Sequence, residues 1–338
     1  MSVATAVIGA GGAGSKRAAA VSATERSHLV CVCDVDDSAA QLLAAEHSVP
    51  AVTDWREVVA DTSVGAVVVS TTHDRLSEIT VAALRAGKHV LCEKPLGRNP
   101  AEVAASVAVA RASGCVLAAG YNHRFHPGVL GLLAARDQGE LGELAFVRAR
   151  YGHGGRPGYD REWRGDADKA GGGEMLDQGA HLIDLTLWIL GEPASVVGHV
   201  ETRVWEIAPL EDNAFVLLRT EAGQVASLHA TWTQWRNLFS FELFGRDGYA
   251  VVNGLGGSYG TETLCIGLRN RKGGVPNERR ESFGTPDGSW GAEWLDVLDR
   301  IEGATGLGAS GEDGLRTAQW IYRVYASARE GRLIRRDE

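Results

Sequence analysis

Two stretches of the chain carry side chains able to move a proton or steady a developing charge. In Asp177-Gln178-Gly179-Ala180-His181-Leu182-Ile183-Asp184, spacings of four and three residues put two carboxylates and an imidazole on one helix face. An imidazole beside a carboxylate suits proton transfer near neutral pH, because the carboxylate orients the ring and holds its titration in range. In Glu93-Lys94-Pro95 an amine follows the short apolar run His89-Val90-Leu91-Cys92. Proline fixes its own φ and bars helix continuation, so Lys94 sits on a defined turn, where its charge can stabilise an oxyanion. Each feature alone has an ordinary reading: a surface lysine, or a structural pair on a helix. Asp177 and His181 also read as half a metal site, but no matching histidine–carboxylate spacing occurs elsewhere, so no metal is expected.

The elements that must position these groups begin with a strand, Val3–Ile8, running straight into Gly9-Ala10-Gly11-Gly12-Ala13-Gly14 and a helix, Lys16–Ala23. Gly-x-Gly-x-x-Gly between strand and helix points backbone N–H groups and the helix dipole at a pyrophosphate. The second strand, His28–Cys33, ends in Asp34, twenty residues after Gly14, where a carboxylate accepts from a ribose hydroxyl. Asp36 and Asp37 follow instead of an arginine. A 2′-phosphate would meet negative charge there, so NAD is expected rather than NADP. Helices at Asp37–His47, Asp54–Ala60, Arg75–Ala86 and Ala101–Ala112 alternate with a brief strand at Val52 and longer ones at Gly65–Ser70, His89–Cys92 and Val116–Gly120. The polar loop Thr71-Thr72-His73 ends the fourth strand, and Glu93 and Lys94 end the fifth. That rhythm predicts a doubly wound parallel sheet, an α/β nucleotide-binding domain over residues 1–122.

The pattern changes beyond it. Pro127–Gln138 and Glu174–Leu190 read as helices, and Glu143–Tyr151 as a strand. Gly152–Ala170 is a glycine-, arginine- and aromatic-rich loop, too polar for core. Alternating runs from Ser195 to Asn270 predict antiparallel strands. Ala292–Glu302 and Glu312–Arg329 are closing helices. Residues 123–338 therefore form an α+β domain with an open, mainly antiparallel sheet, from which the closing helices are free to return to the first domain. Eight of nine tryptophans lie beyond residue 150, and flat aromatic faces suit the C–H faces of sugars.

A net charge of −9 with no basic run argues against nucleic acid or anionic membrane as partner. No apolar run reaches membrane-spanning length and nothing reads as a signal peptide. The five cysteines are sparse and mostly lie in strand-like runs, which predicts reduced thiols in a cytoplasmic protein.

The order of motifs, Gly-x-Gly-x-x-Gly, Glu-Lys-Pro, then Gly-Gly-Gly-x₃-Asp-x-Gly-x-His-x-x-Asp, resembles the Gfo/Idh/MocA family (glucose–fructose oxidoreductase, inositol dehydrogenase, rhizopine catabolism) over nearly the whole chain, including Tyr121–Pro127 and the carboxyl-terminal Gly311–Arg332. The resemblance implies that Lys94, Asp177 and His181 surround the reacting carbon beside the nicotinamide. His181 would accept the hydroxyl proton, Lys94 would steady the oxygen, and Asp177 would orient both. It implies NAD held by Gly9, Gly11, Gly12, Ala13, Gly14, Asp34, Thr71, Thr72, His73, Glu93 and Lys94. The carbohydrate-like substrate would meet Arg124, Tyr151, Trp163, Arg164 and Trp235 besides Asp177 and His181. The expected reaction is reversible oxidation of a secondary alcohol on a sugar, glycoside (C3 favoured) or cyclitol. Alternatives are an NAD-dependent glycosidase working by transient C3 oxidation, or a non-catalytic dinucleotide-sensing regulator. The loop after the fourth strand departs from the family pattern at Thr72 and Ser77. The family also implies a homodimer or homotetramer built through the second domain's sheet, with apolar residues around Phe239–Phe244 facing outward.

Overall fold

Strands that are apolar on both faces belong to a parallel sheet covered by helices, and the first third of the chain consists of them. In the computed structural model, which describes residues 2–284 and 286–338, β1 (Val3–Ile8), β2 (Ser27–Cys33), β3 (Ala51–Val52), β4 (Ala66–Val69), β5 (His89–Glu93) and β6 (Leu117–Gly120) lie in the order β6-β5-β4-β1-β2-β3, all parallel. The crossovers are α1 (Gly12–Ser22), α2 (Asp37–His47), α3 (Trp55–Ala60), α4 (His73–Arg85) and α5 (Pro100–Ser113). Strand order reverses between β1 and β4, and an open α/β sheet binds ligands beyond the carboxyl ends at such a reversal. Local chemistry sets the helix ends. The Asp36 carboxylate accepts from Ser38 and Ala39 at the start of α2, and Asn99 caps α5 with Pro100 in its first turn. Two starts differ from expectation. α1 begins inside the glycine motif rather than at Lys16, and α4 begins at His73, so His73 is helical rather than part of a loop.

The chain continues with α6 (Pro127–Asp137), β7 (Leu144–Gly152), the single turn α7 (Ala167–Ala170), α8 (Glu174–Asp177) and α9 (Gly179–Leu190). Then come β8 (Pro193–Glu201), β9 (Asn213–Thr220), β10 (Val225–Thr231), β11 (Leu238–Gly245), β12 (Gly248–Asn253), β13 (Glu262–Leu268) and β14 (Asn277–Phe283). The chain closes with α10 (Ser289–Ile301), β15 (Ala309–Ser310), α11 (Gly311–Glu330) and β16 (Ile334–Arg335). The sheet order is β14-β13-β12-β11-β7-β10-β9-β8-β16, antiparallel throughout except for the β7–β10 pair. One compact unit comprises residues 1–122, 168–171 and 290–316, and the other residues 123–167, 172–289 and 317–338. β15 adds an antiparallel edge to β6 in the first sheet. In the core of that unit Val7, Val32, Val68 and Leu91 meet Trp294, Val297 and Leu298 of α10. Burying each such side chain contributes about 1.5–3 kcal/mol.

Three expectations about the second unit are corrected. Glu174–Leu190 is not one helix: it breaks at Gln178, where the His181 amide donates to the Gln178 carbonyl at 3.1 Å. The break falls next to Gly179, a poor helix former, against Met175 and Ala230. The row Phe239, Phe241 and Leu243 is not outward but buried, at 2%, 1% and 0% exposure. Period-two alternation turns those three to the covered face, and the exposed face carries Phe146, Phe215, Leu217 and Val197 instead. Gly152–Ala170 also contributes to the core, because Tyr159 is buried edge-on against Trp232 at 4.7 Å.

Candidate active site and dinucleotide cradle

The glycine motif of the first unit is shaped by backbone approach. Gly9 has φ +107°, and a Cβ there would lie 2.4 Å from the Ser70 carbonyl oxygen. A Cβ on Gly14 would fall 1.8 Å from the Gly9 carbonyl oxygen, so neither position admits a side chain. Gly11 and Gly12 face open space, and α1 starts at Gly12 with no side-chain cap and no acidic residue in its first turn. Its first amides, including those of Ala13 and Gly14, are therefore available to an anion. Asp34 is fixed by two backbone donors, Ala10 N–H to Oδ2 at 2.7 Å and Asp36 N–H to Oδ1 at 2.9 Å. These residues fit a dinucleotide: a cradle that a Cβ would fill, a free helix start, and a carboxylate at the end of β2.

Glu93 and Lys94 end β5. Glu93 is buried and accepts from Arg17 Nε at 2.7 Å, while Arg17 also pairs with Glu293 at 2.6 Å. Burial opposes the Arg17 charge, but Glu293 and Glu93 outweigh it and hold the guanidinium above its ordinary value. Lys94 follows as a half-buried side chain, and the Lys94–Pro95 bond is cis. In the loop after β4, Thr71 and Thr72 are half-buried, and the Thr72 hydroxyl donates to Asp74 at 2.6 Å. His73 is buried and its Nδ1–H donates to the Ala170 carbonyl at 2.9 Å, so that nitrogen is committed within the first unit. Ser77, one of the two departures from the family pattern, donates to the Glu102 carbonyl at 2.7 Å and ties α4 to α5.

In the second unit His181 is buried near the start of α9, with 5% exposure. Its ring stacks on that of His123, centroids 3.7 Å apart and planes at 19°. Tyr151 of β7 stands edge-on to both, with its hydroxyl 3.4 Å from His123 Nε2. Burial holds the Tyr151 phenol well above its usual range. Tyr259, pushed up to about 12 mainly by burial, accepts from Gln178 Nε2 at 2.9 Å. Asp177 Oδ2 accepts from Arg164 Nε at 2.7 Å, and the Arg164 guanidinium lies 4.3 Å from the Trp163 ring centroid. Burial works against the Arg164 charge, but Asp177 prevails and raises it.

The second unit thus gathers His181, Tyr151, Asp177, Arg164 and Trp163 at the break between α8 and α9 and the loop before it. Two further candidates have other partners. Arg124 is 4% exposed and forks onto Asp184, Nε to Oδ2 at 2.9 Å and Nη2 to Oδ1 at 2.6 Å. Its guanidinium also lies 5.0 Å from the Trp188 ring centroid, so both it and Asp184 serve the packing of α9. Trp235 is 67% exposed in the loop after β10, with φ +57° and Trp205 at 6.4 Å. Sequence reasoning missed His123, Tyr259 and the Arg17–Glu93–Glu293 triad. His123 stood in the motif-bearing stretch Tyr121–Pro127, and that placement was its only signal. Among the described residues no group of three or more histidines, cysteines or carboxylates is placed to hold a metal, and no helix is long and apolar enough to cross a membrane.

Residues 3–121 match the model of an oxidoreductase family with an NAD-binding Rossmann fold, and residues 129–251 that of the Gfo/Idh/MocA C-terminal domain. The inositol 2-dehydrogenase of Rhizobium meliloti (strain 1021) is 28% identical over 99% of both chains. The 1,5-anhydro-D-fructose reductase of Ensifer adhaerens is 33% identical over 202 residues, which span 59% of this chain and 60% of that one. The solved structure of a levoglucosan dehydrogenase in complex with NADH superposes with a TM-score of 0.90 at 22% identity, covering 99% of both chains, a likeness of fold. With two models of one family covering well over half its length, this chain belongs to the NAD-binding Gfo/Idh/MocA oxidoreductases.

Proposed function

We propose that the protein is an NAD-dependent dehydrogenase that reversibly oxidises a secondary alcohol of a sugar, glycoside or cyclitol, with C3 of a glycoside favoured. The observation that carries this is His181, an imidazole buried among aromatic rings, four residues after Asp177, a carboxylate already fixed by Arg164. The relatives' printed activities, on inositol and on an anhydrofructose, support the same substrate class.

Gly9, Gly11, Gly12, Ala13 and Gly14 would hold the pyrophosphate, Asp34 the adenosine ribose, and Thr71, Thr72, Glu93 and Lys94 the nicotinamide side. When bound, the dinucleotide supplies the hydride acceptor. His181 accepts the hydroxyl proton, and the ammonium of Lys94 stabilises negative charge on the carbinol oxygen. Asp177, held by Arg164, orients the hydroxyl and the imidazole, while Tyr151 and Trp163 offer aromatic faces to the substrate ring. Arg124 is assigned to structure, and Trp235 to the outer rim of the substrate side.

A panel of cyclitols, free sugars and methyl or aryl glycosides, assayed with NAD for both NADH and released aglycone, tests the proposal. NADH formation with one polyol class, and aglycone retained, is expected. Aglycone release without net NADH would favour the glycosidase instead, and saturable NAD binding with no turnover on any member would favour the sensor. The five cysteines are all free thiols, which fits a cytoplasmic setting. The exposed face of the second sheet would be covered by a second copy of the chain.

A further inference from the structure

If His181 is the proton acceptor, the ring beneath it has a task of its own. An imidazole that takes a proton from a bound hydroxyl must present one nitrogen in one direction, yet a histidine χ2 torsion is broad and roughly two-fold. Packing has to supply the restraint. His123 lies face to face with His181 at 3.7 Å and 19°, so rotation of either ring would drive it into the other. His123 is itself held on several sides. Its Nε2 meets the Tyr151 hydroxyl, and its ring stands edge-on to Phe239 at 5.7 Å and to His126 at 5.6 Å. His126 is fixed in turn by Glu262, at 2.8 Å from its Nδ1. The next residue, Arg124, forks onto Asp184 of α9, which ties the turn bearing His123 to the helix bearing His181.

We infer that His123 is a positioning residue for the base: its stacked ring fixes the plane in which His181 receives the substrate proton. The inference rests on the reading of His181 given above. What matters in it is the flat face, and a phenylalanine supplies one of similar size, whereas a leucine does not.

The test uses NAD-saturated protein labelled with ¹³C at histidine Cε1, as wild type, His123→Phe, His123→Leu and His181→Asn. The His181 Hε1 resonance, assigned by its loss in His181→Asn, is expected upfield in wild type and in His123→Phe through the ring current of the stacked partner. In His123→Leu it should return toward the free-imidazole position. With the best substrate of the panel, His123→Leu should lose on the order of 10-fold in kcat with KM and NAD affinity within about 2-fold, and His123→Phe should recover most of the loss. An unshifted His181 resonance in wild type overturns the inference even if His123→Leu does not fold. So does wild-type kcat in His123→Leu, or a His123→Phe as slow as the leucine variant. Turnover persisting in His181→Asn would instead remove the assignment of the base, a different failure.

Discussion

At the scale of single residues, partners decide role. Asp177 and Asp184 flank the same imidazole in sequence, and each faces an arginine in the structure. Arg164 is still a third exposed although its partner Asp177 is buried, while Arg124 and Asp184 are both sealed, at 5% and 1% side-chain exposure. Removing one member of a sealed pair strands the other's charge in a poor solvent. Arg124→Met is therefore expected to cost about 3–5 kcal/mol of unfolding free energy, and the double variant with Asp184→Leu to recover most of it, in urea titrations. An additive double variant would show that the pair does not act as a unit. Residue types and spacing single out Lys94, Asp177, His181 and the glycine motif as candidates in the sequence. They could not distinguish Arg124 from Arg164, because which arginine is buried, and against what, is decided by elements far apart in the chain. Nor could they show that His123 lies against His181, a contact across 58 positions.

At the scale of elements, the parallel sheet was legible because buried strands and glycine-ended helices repeat in alternation. β14 was not. Its sequence, Asn-Glu-Arg-Arg-Glu-Ser-Phe, is exposed along nearly its whole length, so no alternation marks it and only pairing with β13 makes it a strand. The break between α8 and α9 was also hidden, because its apolar residues keep a helical rhythm through Gln178. A carboxylate from outside the helix fixes the start of α8. Glu211 accepts from Gly173 N–H at 3.1 Å, Met175 N–H at 3.0 Å and the Tyr325 hydroxyl at 2.8 Å. Burial nevertheless raises Glu211 above its ordinary value, since desolvation outweighs those donors. A carboxylate raised in the folded state contributes stability that is complete below its unfolded value, about 4.3, and is lost as pH climbs through the folded value. Stability of Glu211→Gln relative to wild type should therefore rise between about pH 4 and pH 8 in urea unfolding. A pH-independent difference would contradict this account of the residue.

At the scale of the whole molecule, the open sheet leaves Phe146, Phe215, Leu217 and Val197 at 39–51% exposure on one face. Phe146 stacks on Phe244 at 4.6 Å, which extends that apolar strip across β7 and β11. A strip of this kind on an otherwise acidic protein is expected to be covered by its own copy. Sedimentation equilibrium should give a dimer or tetramer for wild type and a monomer for Phe146→Asp/Leu217→Asp, whereas a monomeric wild type would refute the assembly. The dehydrogenase reading itself asks that a hydride pass from a carbinol carbon to the nicotinamide while His181 takes the proton. The most direct measurement supplies NAD with a substrate deuterated at that carbon and follows the dinucleotide by NMR. Deuterium should appear at nicotinamide C4, and His181→Asn should slow its arrival by about 10²–10⁴-fold. A product formed with no deuterium in the dinucleotide, or a His181→Asn protein that transfers it at the wild-type rate, would contradict the account.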